Sequence, residues 1–175
     1  MVIETSRLLM RKPQLQDFDR FWGMINDPVA KYYTGGITKL KYNQRLELFK
    51  DDCIVPFSDD AVEFAVIEKE SGKYLGYCGF RSSDDLGGNE FLYGYCQDCW
   101  GQGYGFEAAD AVLQHLFKTL RNDSYIATAD AANIATVKIL KKLGFRKASE
   151  VASENIGVVD KYVIEKGNYL ARSRV

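Results

Sequence analysis

The sequence predicts a mixed α/β (α+β) domain in which helices flank a mostly antiparallel central sheet. Three observations carry this. Apolar residues near the start recur at helical spacing (Leu15, Phe18, Trp22, Ile25), then give way to β-rich runs between residues 63 and 96. Short turn segments, "ESGK" and "SSDDLGGN", join those runs, which favours hairpins and therefore antiparallel pairing. Beyond residue 104 the order becomes helix, strand, helix and two further β segments.

Each element has a local reason. "SRLLMRK" reads as a short strand, and "PQLQDFDRFWGMIND" as a helix that begins at Pro13 and is stopped by Asp27-Pro28. "YYTGG" is a loop, and "KYNQRLELFKDDC" a second helix with Tyr42, Leu46 and Phe49 on one face. "EFAVIEKESGKYLGYCGF" is a hairpin and "EFLYGYC" a third strand of that group. A long helix follows, with Phe106, Ala109, Leu113, Leu116 and Phe117 along one stripe. "SYIATAD" is the next strand. "NIATVKILKKLGF" is a helix that closes at Gly144 with Val137, Leu140 and Leu143 turned inward. Weaker β segments lie around "RKASEVAS" and "VVDKYVIEK".

With 175 residues, 46% of them hydrophobic, the chain is expected to form one domain over 1–175 with a substantial core. Twenty-three basic residues nearly balance 24 acidic ones, so no net field draws the protein to nucleic acid or an anionic membrane. No run approaches the ~18 apolar residues of a membrane span, and "MVIETSRLLMRK" lacks the apolar core of a signal peptide. The expected address is the cytoplasm, the expected state a monomer or homodimer, and Cys53, Cys78, Cys96 and Cys99 are expected as thiols. Cys96 and Cys99 have CxxC spacing, but no second CxxC exists and the only histidine, His115, lies in a helical pattern. No metal is expected, and these cysteines read as small buried apolar residues.

The most informative stretch is "CWGQGYGFEAAD". Gly101, Gly103 and Gly105 alternate between the end of a strand and the start of a helix. Backbone N–H groups there lie exposed at the positive end of the helix dipole, and the missing Cβ atoms let a bulky phosphate approach. A turn and cap needing positive φ is the plainer alternative. Two familiar phosphate loops fail: Phe106-Glu107 stands where a P-loop needs Lys-Ser/Thr, and the glycines come too late, after antiparallel strands, for a dinucleotide fingerprint.

Three blocks between residues 5 and 145 resemble the GCN5-related N-acetyltransferase superfamily, in that family's order. "TSRLLMRKPQLQDFDRFWGMINDPVAKYY" is similar to the start of its ribosomal-protein N-terminal acetyltransferase branch, "WGQGYGFEA" to that branch's Trp-Gly-x-Gly-Tyr motif, and "NIATVKILKKLGF" to its Asn-x-x-Ser/Thr helix. The resemblance implies the acyl-CoA N-acyltransferase fold and direct transfer from acetyl-CoA to a primary amine, either a protein N-terminus or a small molecule. A non-catalytic acyl-CoA-binding module is the alternative. Trp100 stands where much of the superfamily has Gln or Arg. Leu140 stands where some relatives carry a general-acid Tyr, which excludes a tyrosine acid from that helix.

The resemblance also implies roles for individual residues. Gly101, Gln102, Gly103, Tyr104, Gly105 and Phe106 would hold the pyrophosphate of acetyl-CoA, main-chain N–H groups near Tyr95 and Cys96 the acetyl carbonyl, and Asn133 the pantetheine arm. Glu90 would serve as base and Thr136 would protonate the thiolate. Base help matters because a lysine amine is neutral in roughly one molecule in 2,500 at pH 7, and an α-amine in roughly one in seven. An unshifted carboxylate is a poor base, so Glu90 would need a raised pKa or a water relay. Glu107, in the first helical turn, reads as a partner of the helix dipole. Of the basic residues Lys138, Lys141, Lys142, Arg146 and Lys147, Lys138 and Lys142 are candidates for the 3′-phosphate of CoA.

Overall fold

The computed structural model describes residues 1–153 and 156–172. Chain order is β1 (Ile3–Glu4), β2 (Leu8–Arg11), α1 (Phe18–Ile25), α2 (Tyr42–Ile54), β3 (Ala61–Glu68), β4 (Tyr74–Ser83), β5 (Gly88–Tyr95), α3 (Tyr104–Thr119), β6 (Ser124–Ala129), α4 (Ile134–Leu143), β7 (Arg146–Ser153), β8 (Gly157–Glu165) and α5 (Lys166–Arg172). The strands form one eight-stranded sheet in the order β1-β2-β3-β4-β5-β6-β8-β7. Every neighbouring pair is antiparallel except β5 and β6. The predicted mixed, mostly antiparallel architecture is therefore the observed one.

Side chains alternate between the two faces of each strand, so register decides what each face carries. Phe64 lies opposite Cys78 and Cys78 opposite Tyr93. This face meets α3, where the Phe64 ring stands edge-on to His115 with centroids 6.3 Å apart. Phe117 of α3 packs on Tyr125 of β6 at 5.1 Å, and Phe80 on Tyr125 at 5.3 Å. All three are almost wholly buried, and burying each ring contributes roughly 1.5–3 kcal/mol. The opposite face carries Glu63 beside Gly79, Ala65 beside Tyr77, and Arg81 beside Glu90. Helices α1 and α2 cover part of it, joined by Phe21 against Phe49 at 4.9 Å.

Some boundaries differ from the sequence reading. The expected helix from Pro13 starts as a 3-10 turn over Leu15–Asp17, and its α-helical part is only Phe18–Ile25. The cause is Asp17: its carboxylate accepts the Gln14 N–H at 2.8 Å and both arms of the Arg11 guanidinium at 2.7 and 2.9 Å. That tight turn leaves Leu15 exposed instead of buried. β1, which pairs Ile3 with Met10, and α5, which buries Tyr169, have no counterpart in the sequence reading. Among the described residues no helix is long and apolar enough to cross a membrane.

Candidate active site

The sheet is interrupted where β5 meets β6. These strands run parallel, and among the described residues their only register pair is Glu90 opposite Ile126. Beyond that rung, toward both C-terminal ends, a seam opens. The segment leading to α3 leaves the end of β5, and α4 begins just after the end of β6.

Backbone geometry decides which amides face this seam. The Cys96 N–H donates to the Leu75 carbonyl at 2.8 Å, toward β4. Residues of an antiparallel pair alternate in direction, so the backbone groups of Tyr95 point the other way, across the seam. The indole N–H of Trp100 donates to the Tyr95 carbonyl oxygen at 3.0 Å, on that side. Of the two amides expected to hold the acetyl carbonyl, only that of Tyr95 faces the seam. The expectation for Cys96 is corrected: its N–H is spent within the sheet, and its Sγ lies 3.9 Å from the Arg20 carbonyl oxygen.

The glycine stretch makes the opening of α3. Gly101 and Gly103 have φ of +75° and +83°, left-handed conformations that L side chains rarely adopt. Gly103 is the N-cap, and no side chain caps the helix, so its first-turn N–H groups receive no side-chain cap. Gly105 serves packing: a Cβ there would stand 3.2 Å from Ile139 and 3.3 Å from the Tyr95 ring. Gln102 is held through its carbonyl, which accepts from Arg7 at 3.0 Å. Tyr104 donates to Glu68 and lies under the Arg7 guanidinium, 4.4 Å from its ring centroid. Lys142 stands 3.9 Å from the centroid of Phe106, so α4 brings one of the two predicted lysines to the glycine segment. A cavity of about 580 Å³ adjoins this turn, lined by Gly103, Phe106, Arg7, Glu107 and Lys142 among others. Glu107, in the first turn of α3, binds Arg7 and accepts from Thr5, partners the sequence reading did not name.

On the α3 side of the seam, Asn133 caps α4, its Oδ1 accepting the Thr136 N–H at 3.2 Å. Thr136 stands against Tyr93, a residue the sequence reading missed. The Tyr93 phenol oxygen is buried without a well-aligned hydrogen bond, and burial pushes its pKa up, so it stays a proton donor. Tyr95 has a similarly orphaned phenol oxygen, close to Cys78. Alternation along β5 was the available signal, since it puts Tyr93 and Tyr95 on one face.

On the α1/α2 side lies Glu90, at the head of the seam. Its carboxylate is fully engaged: Arg81 donates at 3.1 Å and the Thr128 hydroxyl at 3.0 Å. Apart from Cys96, the structure sets the sequence candidates around one seam, with the glycine turn, Asn133 and Thr136 at one side and Glu90 at the other.

Residues 7–146 match the profile of a family described as acetyltransferase (GNAT) domain. This chain belongs to the GNAT acetyltransferase family. It is similar to the uncharacterized N-acetyltransferase p20 of Bacillus licheniformis, 27% identical over 144 residues that cover 82% of this chain and 81% of that protein. In fold it resembles a GNAT acetyltransferase from Bacillus anthracis (TM-score 0.80, 21% identity, 95% of this chain and 99% of that one). It also resembles the Vibrio cholerae spermidine N-acetyltransferase solved with CoA and spermine (TM-score 0.79, 16% identity, 95% and 99%).

In this GNAT chain the four cysteines are free thiols, three of them buried. Cys99 Sγ lies 2.9 Å from the Cys96 carbonyl oxygen, an internal contact of the turn before the glycines. Among the described residues no group of three or more His, Cys, Asp or Glu side chains is disposed to hold a metal.

Proposed function

We propose that this GNAT chain transfers the acetyl group of acetyl-CoA directly to a primary amine while both are bound. The observation that carries the reading is the seam between β5 and β6 with the left-handed glycine turn at its open end. Its residues suit acetyl-CoA: uncapped first-turn N–H groups and Lys142 for phosphate, and two buried phenol oxygens without a well-aligned hydrogen bond. When bound, acetyl-CoA supplies an activated acyl group and a thiol leaving group.

The chain's own residues divide the work. N–H groups of Gly101, Gln102, Gly103, Tyr104, Gly105 and Phe106 bind the pyrophosphate, and Asn133 keeps its amide N–H₂ for the pantetheine arm. The Tyr95 N–H orients the acetyl carbonyl, the task of an oxyanion hole. Thr136, backed by Tyr93, holds a proton beside the position of the sulfur. Glu90, with Arg81 and Thr128, frames the approach of the amine from the α1/α2 side. The acceptor is a protein N-terminus, as in the ribosomal-protein branch, or a small amine; the spermine complex of the Vibrio cholerae neighbour supports the second class. No cysteine is needed as a carrier, and burial holds the Cys78 thiol far above its ordinary pKa, which makes it a poor nucleophile.

A thermal-shift screen with acetyl-CoA, followed by thiol-release assays on N-terminal peptides, lysine peptides and small amines, tests the reading. Stabilisation by acetyl-CoA with amine-dependent thiol release is expected. Binding without release from any amine would make the chain a sensing module instead.

A further inference from the structure

The turn from β1 to β2 carries Thr5 and Arg7, and it is closed tightly. The Thr5 N–H donates to the Leu8 carbonyl oxygen and the Leu8 N–H to the Thr5 hydroxyl oxygen, both at 2.9 Å. Just after β3, the Lys69 N–H donates to the Arg7 carbonyl at 2.9 Å and Lys69 Nζ to that of Thr5 at 2.8 Å. From this fixed base the Arg7 side chain reaches the opening of α3. Its Nε donates to Glu107 at 2.8 Å, its Nη1 to the Gln102 carbonyl oxygen at 3.0 Å, and its guanidinium lies 4.4 Å from the Tyr104 ring centroid. The second Glu107 oxygen accepts from the Thr5 hydroxyl and from the Arg7 N–H. A Cβ on Gly103 would stand 3.6 Å from the same guanidinium.

These bonds act on the glycine turn in two ways. In a trans peptide unit the C=O and the N–H point in opposite directions. Arg7 draws the Gln102 carbonyl toward β2, so the Gly103 N–H of the same unit points away from Arg7. Gly101 and Gly103, both left-handed, flank Gln102 and give its peptide planes more freedom than other residues would, which makes an outside anchor effective. Second, Thr5 and Arg7 occupy both oxygens of Glu107, a carboxylate in the first turn whose free charge would repel an anion bound there. Among the described residues none of the N–H groups from Gly101 to Phe106 donates a hydrogen bond.

We propose that Arg7 is a positioning residue for the pyrophosphate of the acyl donor: by holding the Gln102 carbonyl and the Glu107 carboxylate, it aims the Gly103 N–H at the phosphate and keeps a rival negative charge off it. Arg7 touches no reacting atom. The proposal rests on the acetyl-transfer reading and names what sets its donor site, a side chain 95 positions before Gln102. Because the effect runs through the pyrophosphate, it is confined to donors that carry one. Acetyl-pantetheine keeps the thioester and the arm but has no pyrophosphate, so it gains nothing from Arg7. A donor that lacks only the 3′-phosphate depends on Arg7 as fully as acetyl-CoA does.

The test compares wild type with Arg7→Ala and Arg7→Lys. Lysine keeps the charge for Glu107, but its single ammonium lacks the fork that also reaches Gln102. The readouts are the melting curve and calorimetric affinities for acetyl-CoA, acetyl-3′-dephospho-CoA and acetyl-pantetheine. Both variants should melt cooperatively, Arg7→Lys close to wild type. In each, affinity for the two pyrophosphate donors should fall by the same factor, ~10–100-fold for Arg7→Ala and less for Arg7→Lys, the scale of a hydrogen bond to a charged group. Affinity for acetyl-pantetheine should match that of wild type. Unchanged affinity for acetyl-CoA would overturn the assignment. An equal loss on all three donors would make Arg7 a support of the fold, and a loss that vanishes with the dephospho donor would make it a direct contact of the 3′-phosphate. Each of these results overturns the positioning role while acetyl-CoA binding by wild type stands. If wild type binds no acetyl-CoA, the acetyl-transfer reading and the role of Arg7 fall together.

Discussion

Trp100 donates its indole N–H to the carbonyl oxygen of Tyr95 at 3.0 Å, sealing the last acceptor of β5 on the side where the sheet parts. Trp100→Phe keeps an aromatic ring and removes the donor. The expected cost is about 1 kcal/mol of stability with a severalfold loss of acetyl-CoA affinity, read by denaturant unfolding and calorimetry. If both stay at wild-type values, this bond does not shape the seam.

Gly103 combines a φ of +83° with the N-cap position of α3. Gly103→Val should therefore disturb the turn more than the core. Acetyl-CoA binding is expected to disappear from calorimetry while the circular dichroism spectrum stays that of a folded chain. Near-normal affinity would remove this turn from the phosphate site.

Arg11 and Asp17 form a two-pronged ion pair with side chains only 12% and 4% exposed. Asp17→Ala strands a largely buried guanidinium and removes the acceptor for the Gln14 N–H, so a loss of about 3–5 kcal/mol is expected on denaturant unfolding. A loss below about 1 kcal/mol would mean that water reaches Arg11 and replaces the carboxylate.

Desolvation raises the carboxyl of Glu63 on β3, which affects stability. Its folded pKa of about 7 lies above the ordinary 4.5, so between these values the folded chain holds a proton that the unfolded chain has released. Charging Glu63 thus destabilises the fold as pH rises through that window, with the full effect above about 7. Glu63→Gln should melt higher than wild type at pH 8 and equal to it near pH 4.5. The gap should be about 2–4 °C, corresponding to ~1 kcal/mol after discounting for the exposed side chain. Equal melting temperatures at both pH values would show that water solvates the Glu63 carboxylate fully in the folded chain.

Much of this was legible in the sequence because it is local. Alternation in "EFAVIE" and "EFLYGY" marks strands, and Gly101, Gly103 and Gly144 stand where the backbone turns left-handed. Asn133 and Thr136 are three residues apart because one caps the N–H of the other. What stayed hidden depends on register and on distant segments. Whether the Cys96 amide is free depends on its facing Leu75, 21 positions earlier. Glu63 reads as an ordinary outward strand residue until Lys31, Arg45 and Arg81 converge around it. Asp17 turns a helix start into a 3-10 turn only once Arg11 reaches it from β2.

The single rung that joins β5 to β6 among the described residues has a consequence for amide hydrogen exchange. Central strands normally hold the slowest-exchanging amides of a protein, because reaching them requires global unfolding. Here the middle of the sheet holds amides, that of Tyr95 among them, which point into an opening instead of a ladder. They should exchange as an edge does, far faster than the β3–β4 amides beside them. Filling the seam with a ligand would slow them without any change in the fold, which makes these few positions a built-in reporter of occupancy.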